Sequence, residues 1–406
     1  MKEKVIIFGV GKNYQLYKTQ INDSFRILAI VDNDINIQNT EVDGYIVISA
    51  DQLQEFEFDL ILVTEVGDKS VSVKKQLLNM GIPISKMRFT GNCGIEPYRI
   101  NPLFFKSGLS YDEKKLLFSE NIERVIIELN SKCNRKCWFC TNSLFHDEHD
   151  NIDMSDSVFE KIISELKQIN YRESICLSFF NEPLLSRKLL GRIEEIRRRL
   201  PDAFIYAFSN GDFLSKEALA RLEKSGLNRL IIDIYTNGIE YNYEESIEAM
   251  HKLECRTGLK FEIWNSRNGF LDHKMYGNLE VMIYSQNFMK SASNRAESLI
   301  NRGLPIPVIE EHPLPCIKSF ISYNIDYRGE VWPCPNYHRE YEAHRQYCVG
   351  NVCEETIFDI YIGDKMNVYR KKNLFERDSL PCRSCIWNFN SFKENSFFRP
   401  FSDRIN

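Results

Sequence analysis

The chain has no run of eighteen consecutive apolar residues, so no membrane-spanning helix is predicted and no membrane partner is expected. It has no long basic run and a net charge of −5, which excludes a broad electrostatic surface for nucleic acid but leaves room for a nucleotide-sized ligand. The opening Met-Lys-Glu-Lys, followed by Val5 to Phe8, lacks the apolar core and cleavage site of a secretory signal. Repeats of solenoid period and low-complexity tracts are missing as well, which excludes extended repeat architectures. These absences predict a soluble, cytoplasmic protein. Its 406 residues exceed one typical core and predict two or three domains.

Thiols, in contrast, are plentiful. Twelve cysteines suit disulfides poorly in a reducing compartment, and clustered metal ligation accounts for them better. Residues 133 to 140 read Cys-Asn-Arg-Lys-Cys-Trp-Phe-Cys, a C-x3-C-x2-C spacing directly after the apolar run Arg124 to Leu129. That run predicts a buried strand, with Cys133, Cys137 and Cys140 on the loop at its carboxyl end. Three thiolates bind soft metal and leave a fourth coordination position open for chemistry. Half a zinc site, or three unrelated buried thiols, are the alternatives, although structural zinc takes four protein ligands.

This spacing, with Phe139 just before the last cysteine, closely resembles the cluster loop of the radical S-adenosylmethionine (radical SAM) enzymes. The resemblance implies a 4Fe-4S cluster on Cys133, Cys137 and Cys140, with the amino and carboxylate groups of S-adenosylmethionine (SAM) on the fourth iron. It spans roughly residues 124 to 390.

Before that loop, residues 1–95 read as a small Rossmann-like α/β domain. Val5 to Phe8 is a strand, Gly9-Val10-Gly11 a turn, Lys12 to Gln20 a helix, and Arg26 to Val31 a strand ending at Asp32. Tyr14 replaces the third glycine of the dinucleotide fingerprint and should crowd helix against strand. Further strands are predicted at Tyr45 to Ile48, Phe58 to Thr64 and Met87 to Phe89, with a helix over Ser70 to Met80. The stretch resembles domains appended to sugar-modifying enzymes, and ligand recognition and vestigial packing are both compatible with it. Residues 96–123 read as a linker with one helix, Tyr111 to Ser119.

Over residues 124–300 strands and helices alternate, predicting a partial (β/α)6 TIM-like barrel whose active groups sit at the carboxyl ends of strands. Strands are expected at Ser174 to Phe180, Ala203 to Phe208, Leu230 to Tyr235, Lys260 to Trp264 and Leu279 to Tyr284. Phe180-Asn181-Glu182-Pro183 resembles the family's Gly-Gly-Glu-Pro motif, which implies that Asn181 and Glu182 meet the SAM amino group. Ser209-Asn210-Gly211 resembles the turn beside the adenosyl group. Asp233 stands where relatives often place a serine, and its charge should repel the SAM carboxylate, so it turns to the substrate or yields the role to Thr236 or Asn237. Ser293-Asn294-Arg295-Ala296 resembles an Asn-Arg element, with Arg295 a fork for the SAM carboxylate. Ordinary turns and an exposed arginine are the plain alternatives. No catalytic acid, base or hydrogen-donating cysteine is identifiable.

Residues 301–406 hold a second thiol set: Cys316, then Gly329 and Cys334 around a predicted hairpin, then Cys382-Arg-Ser-Cys385. The arrangement resembles the family's SPASM domain in its shortened twitch form, implying one auxiliary 4Fe-4S cluster. A four-thiol zinc ribbon is the alternative, Cys348 and Cys353 are substitute ligands, and Cys93, Cys176 and Cys255 read as packing residues. The family implies reductive cleavage of SAM to a 5′-deoxyadenosyl radical, hydrogen abstraction from a small-molecule substrate, and an external electron donor such as flavodoxin or ferredoxin. A sugar or nucleotide-linked sugar is expected, by oxidation, dehydration or epimerisation. Modification of a ribosomal peptide and a non-catalytic redox sensor are the rivals.

Overall fold

The structure is a computed structural model and describes residues 2–65, 68–83, 86–89, 102–145, 151–236, 238–263, 269–300, 302–308, 316–375 and 379–385. Its first sheet holds β1 (Lys4–Phe8), β2 (Arg26–Val31), β3 (Glu41–Val42), β4 (Tyr45–Ile48), β5 (Leu60–Val63) and β6 (Met87–Phe89) in the order β3-β4-β2-β1-β5-β6. All neighbours pair in parallel except the β3–β4 hairpin. Alternate side chains explain the layering, since successive residues of a strand face opposite ways. Ile6, Phe8, Ile61 and Val63 pack with Val73 and Leu77 of helix α2 (Asp68–Asn79), while Val5, Ile7, Ile30 and Leu62 pack with Tyr14 and Ile21 of α1 (Lys12–Ser24).

Tyr14 is therefore a core residue that fills the space a glycine would leave between α1 and the sheet. Gly9, at φ +99°, would bring a Cβ within 2.8 Å of Glu65 Cγ and Oε1, so a carboxylate stands over the turn where a pyrophosphate would approach. Asp32 accepts the Val10 and Asp34 amides at 3.1 and 2.9 Å. Its carboxylate thus holds the turn itself, in place of the ribose contact expected of a dinucleotide site.

Helix α3 (Tyr111–Asn121), capped reciprocally by Ser110 and Glu113, leads into the second sheet. There the chain runs β7 (Arg124–Ile127), α4 (Asp156–Gln168), β8 (Ser174–Cys176), α5 (Leu189–Arg199), β9 (Phe204–Ser209), α6 (Lys216–Ser225), β10 (Arg229–Asp233) and α7 (Tyr243–Thr257). It continues through β11 (Gly269–Tyr276), β12 (Leu279–Gln286), α8 (Phe288–Ser291), α9 (Lys318–Ile321), β13 (Ser322–Ile325), β14 (Glu330–Trp332), β15 (Gly350–Asn351), α10 (Ile357–Ile362) and α11 (Asp364–Phe375). The strand order is β11-β12-β10-β9-β8-β7-β13-β14-β15. Ile126, Cys176, Tyr206, Ile231 and Met282 line the concave face, and the alternate residues pack under the helices.

Three expectations are corrected here. Residues 260–263 carry no strand, and Trp264 lies outside the described residues. The partner of β12 on that side is β11, an antiparallel edge strand whose Asp272-His273-Lys274 disguised it. The sixth parallel strand comes instead from β13, which pairs with β7 from Ser322↔Arg124 to Ile325↔Ile127 and carries the sheet across residue 300. The helical stretch from Ile357 onward is broken in two, because Gly363 takes an extended ψ of 160° and ends α10.

Candidate active site

The cysteine loop leaves β7 and is pinned to the next strand ends by charge and stacking. Arg135 Nε donates to Asp212 Oδ2 at 2.8 Å, Asn134 Nδ2 to the same oxygen at 2.6 Å, and Phe139 stacks on Phe288 with ring centroids 3.6 Å apart. Cys133, Cys137 and Cys140 thereby line one cavity of about 550 Å³ together with Glu182, Ser209, Asn210, Asp233 and Arg295. Burial is the main cause that pushes Cys133 up to about 12, and the charge of Cys140 adds to it. Thiols so desolvated become thiolates when a metal centre supplies the compensating charge.

Glu182 follows β8 and is buried at 2 % exposure. Its Oε1 accepts from Ser209 Oγ at 2.8 Å and Leu184 N at 3.1 Å, and Oε2 accepts from Asn210 N at 2.8 Å. Desolvation raises it to about 7 despite these bonds. Asn181 lines the cavity beside it, while its Oδ1 accepts from Phe179 N and its Nδ2 donates to Asn130 Oδ1, which shapes the turn that presents Glu182. Asn210 Nδ2 donates to Asn134 Oδ1 at 2.8 Å and lies 3.8 Å from Cys133 Sγ. The turn after it needs Gly211, at φ +73°, where a Cβ would meet Ile232 Cγ2 at 2.8 Å.

Asp233, at the end of β10, faces the cavity and accepts from Tyr235 Oη at 2.8 Å. Burial foremost, with the charge of Glu182 in addition, holds it at about 7, a repulsion between two protein carboxylates distinct from the one anticipated with the SAM carboxylate. Thr236 is not among the lining residues, and Asn237 lies outside the described residues. Arg295, Ala296 and Glu297 take φ of +49°, +51° and +70°, three successive left-handed residues without glycine. This turn aims Arg295 back at the cluster loop, where Nε donates to Phe139 O at 3.4 Å and the guanidinium lies over the Phe180 ring.

Behind the cavity, Cys316, Cys334, Cys382 and Cys385 line a second, narrow one with Lys318, Tyr369 and Asn373. All four are buried and none forms a disulfide. Donors surround the sulfurs: Tyr369 Oη is 3.2 Å from Cys382 Sγ, and Asn336 Nδ2 is 3.9 Å from Cys385 Sγ. Buried, unlinked thiols ringed by hydrogen-bond donors suit a thiolate-held cluster. Among the described residues, no three His, Cys, Asp or Glu side chains stand close enough to hold a single metal ion. A cubane spreads its thiolates over separate irons, so its ligands stand further apart than those of a mononuclear site.

Neither Cys348 nor Cys353 lines that second cavity. Cys255 is exposed on α7, which corrects its reading as a packing residue; Cys176 is buried but reaches the main cavity, and Cys93 lies outside the described residues. Sequence reasoning missed Arg124, Lys318 and Tyr284 on the cavity wall. The only signal for Lys318 was its place two residues after Cys316. Among the described residues no helix is long and apolar enough to cross a membrane.

Residues 127–256 match the radical SAM superfamily, residues 316–399 an iron-sulfur cluster-binding domain (SPASM), and residues 1–88 the C2185-like N-terminal family. The chain is 26 % identical over 261 residues to the S-adenosyl-L-methionine-dependent 2-deoxy-scyllo-inosamine dehydrogenase of Niallia circulans, covering 64 % of this chain and 90 % of that protein. It is 22 % identical over 300 residues to the tungsten-containing aldehyde ferredoxin oxidoreductase cofactor-modifying protein of Pyrococcus furiosus, covering 60 % and 82 %. A crystal structure of BtrN in complex with AdoMet and 2-DOIA is similar at a TM-score of 0.48 and 20 % identity, covering 66 % of this chain and 98 % of that one. The chain thus carries a radical SAM domain over residues 127–256 and a SPASM iron-sulfur cluster-binding domain over residues 316–399, the domains of an oxidoreductase-like enzyme that uses SAM and iron-sulfur clusters.

Proposed function

We propose that this enzyme oxidises a sugar, aminosugar or nucleotide-linked sugar held between the two thiol sets. The observation that carries the reading is a cavity with Cys133, Cys137 and Cys140 at one side and, across the wall made by Lys318, four further thiols. The 26 % relation to an enzyme named for dehydrogenating 2-deoxy-scyllo-inosamine supports a polyhydroxylated substrate. We assign Cys133, Cys137 and Cys140 to the SAM-binding cluster, and Cys316, Cys334, Cys382 and Cys385 to the auxiliary one. Division of the chain at residues 95, 123 and 300 belongs to the same proposal, with the second sheet running on across the last of these.

When bound, SAM and its cluster supply the power to take a hydrogen atom from an unactivated carbon. The chain's own share is positioning. Glu182, pre-held by Ser209 and the Asn210 amide, would receive the ammonium of SAM, which would restore charge to a carboxylate that burial foremost keeps near neutrality. Arg295 pairs with the SAM carboxylate, and its guanidinium compensates the charge of Cys140. Asp233 and Tyr235 face the substrate side, and Phe139, Phe179, Phe180, Phe208 and Phe288 keep water from the reacting centre. Cytoplasmic location and an external one-electron donor of the flavodoxin or ferredoxin kind complete the proposal.

Anaerobically reconstituted protein, given SAM and dithionite, should release 5′-deoxyadenosine faster when a sugar substrate is present, with a product lighter by two hydrogens. Stimulation by a precursor peptide and by no sugar would replace this reading with peptide modification. Absence of any SAM cleavage would leave the redox-sensor reading.

A further inference from the structure

Lys318 belongs to both cavities, lining the large one beside Arg124 and the narrow one among Cys316, Cys334 and Cys385. It opens α9 two residues after Cys316 and is 4 % exposed, a rare setting for an ammonium group. Burying such a charge is costly unless opposite charge lies beside it. Burial foremost opposes its charge, and among the groups that bear on it are the thiols Cys334, Cys316 and Cys385, which favour that charge, and Arg124, which opposes it. A single cation there would serve no packing purpose that a methionine could not serve more cheaply. Its location is explained if the four thiols carry a centre whose charge becomes more negative in use.

We propose that Lys318 is a positioning residue whose fixed positive charge raises the reduction potential of the auxiliary cluster from the wall that the substrate touches. Uptake of one electron makes such a cluster one charge unit more negative, and an adjacent cation in a low-dielectric setting stabilises that form over the oxidised one. The inference rests on the assignment of an auxiliary cluster to the four cysteines and is independent of which substrate is used.

The test compares full-length, anaerobically reconstituted wild type with Lys318→Met, Lys318→Gln and Lys318→Arg. Each is titrated with dithionite while the cluster signals are followed by electron paramagnetic resonance, with iron and sulfide measured in every sample. The auxiliary midpoint potential is expected to move to more negative values in both neutral variants and to stay near the wild-type value in Lys318→Arg, with the first cluster unchanged. Loss of the auxiliary cluster from both neutral variants but not from Lys318→Arg supports the same role for the charge. Wild-type potentials in the neutral variants, or equal damage in all three, overturn it. A wild-type protein without iron at the four cysteines overturns this inference together with the cluster assignment, whereas a failed sugar assay leaves it standing.

Discussion

Ser209 Oγ donates to Glu182 Oε1 at 2.8 Å, so a residue at the end of β9 orients the carboxylate presented after β8. Charge-assisted hydrogen bonds contribute about 1.5–3 kcal/mol, which corresponds to roughly 10- to 150-fold in affinity. Glu182→Gln keeps the shape and removes the charge, and should weaken SAM binding within that range. Ser209→Ala removes only the orienting bond and should cost about 1 kcal/mol, on the order of fivefold. Equilibrium dialysis with the reconstituted protein measures both. Equal SAM affinity in wild type and Glu182→Gln would remove Glu182 from the SAM site.

Replacing Cys133, Cys137 and Cys140 together by alanine should lower iron content by roughly four per chain and abolish SAM cleavage. The corresponding change of Cys316, Cys334, Cys382 and Cys385 should remove a similar amount while leaving a SAM-perturbed cluster signal. Stoichiometric zinc in place of iron in the anaerobic wild type is the outcome that ends the cluster assignment for either set.

In the proposed site Arg295 meets the SAM carboxylate as a fork and not merely as a charge. Arg295→Met should therefore lose about 10- to 100-fold in SAM affinity, and Arg295→Lys should recover only part of it, since an ammonium cannot reproduce two parallel hydrogen bonds. Full recovery in the lysine variant would reduce the role of Arg295 to electrostatics. The same binding measurement decides the matter.

Glu128 lies just past β7 and accepts from Phe180 N at 3.0 Å and Tyr327 N at 3.4 Å, tying the Glu182 turn to the β13–β14 hairpin. Burial, and then the charge of Asp326, raise its pKa from 4.5 to about 8. Between those values the folded chain holds the proton more tightly than the unfolded chain, so this group's contribution to stability is present at low pH and is lost as pH rises. Urea unfolding of the apoprotein should accordingly show wild type losing stability relative to Glu128→Gln as pH climbs towards 8, by an amount on the order of a few kcal/mol. Parallel pH profiles for the two proteins would show that Glu128 is not strained by burial.

Much of this site was legible in the chain because its chemistry is local. The C-x3-C-x2-C loop, the Glu182 turn and the Asn210-Gly211 turn each follow a strand whose apolar run marks it, so their convergence follows from parallel β/α winding. The hairpin around Gly329 was legible for the same reason. What could not be read was non-local. β11 is polar because it lies on an edge, β13 looked like part of a separate unit because no short segment reports which distant strand it will pair with, and the setting of Lys318 is complete only when Cys382 and Cys385, more than sixty residues later, join Cys316 and Cys334 around it. Asn181 shows a second non-local role. A family position that usually holds glycine was assigned to the ligand, and while its side chain does line the cavity, its amide also braces the turn through the Phe179 amide and the Asn130 side chain, which no local pattern announces.

The parallel seam between β7 and β13 has a bearing on how the enzyme can be altered. Cutting the chain near residue 300 would strip the flank from the very strand that launches the cysteine loop, leaving its amides and carbonyls bare at a raw sheet margin. The two iron-holding portions are thus welded through the main chain, and a truncated barrel should clump or melt before any question about its chemistry could be asked.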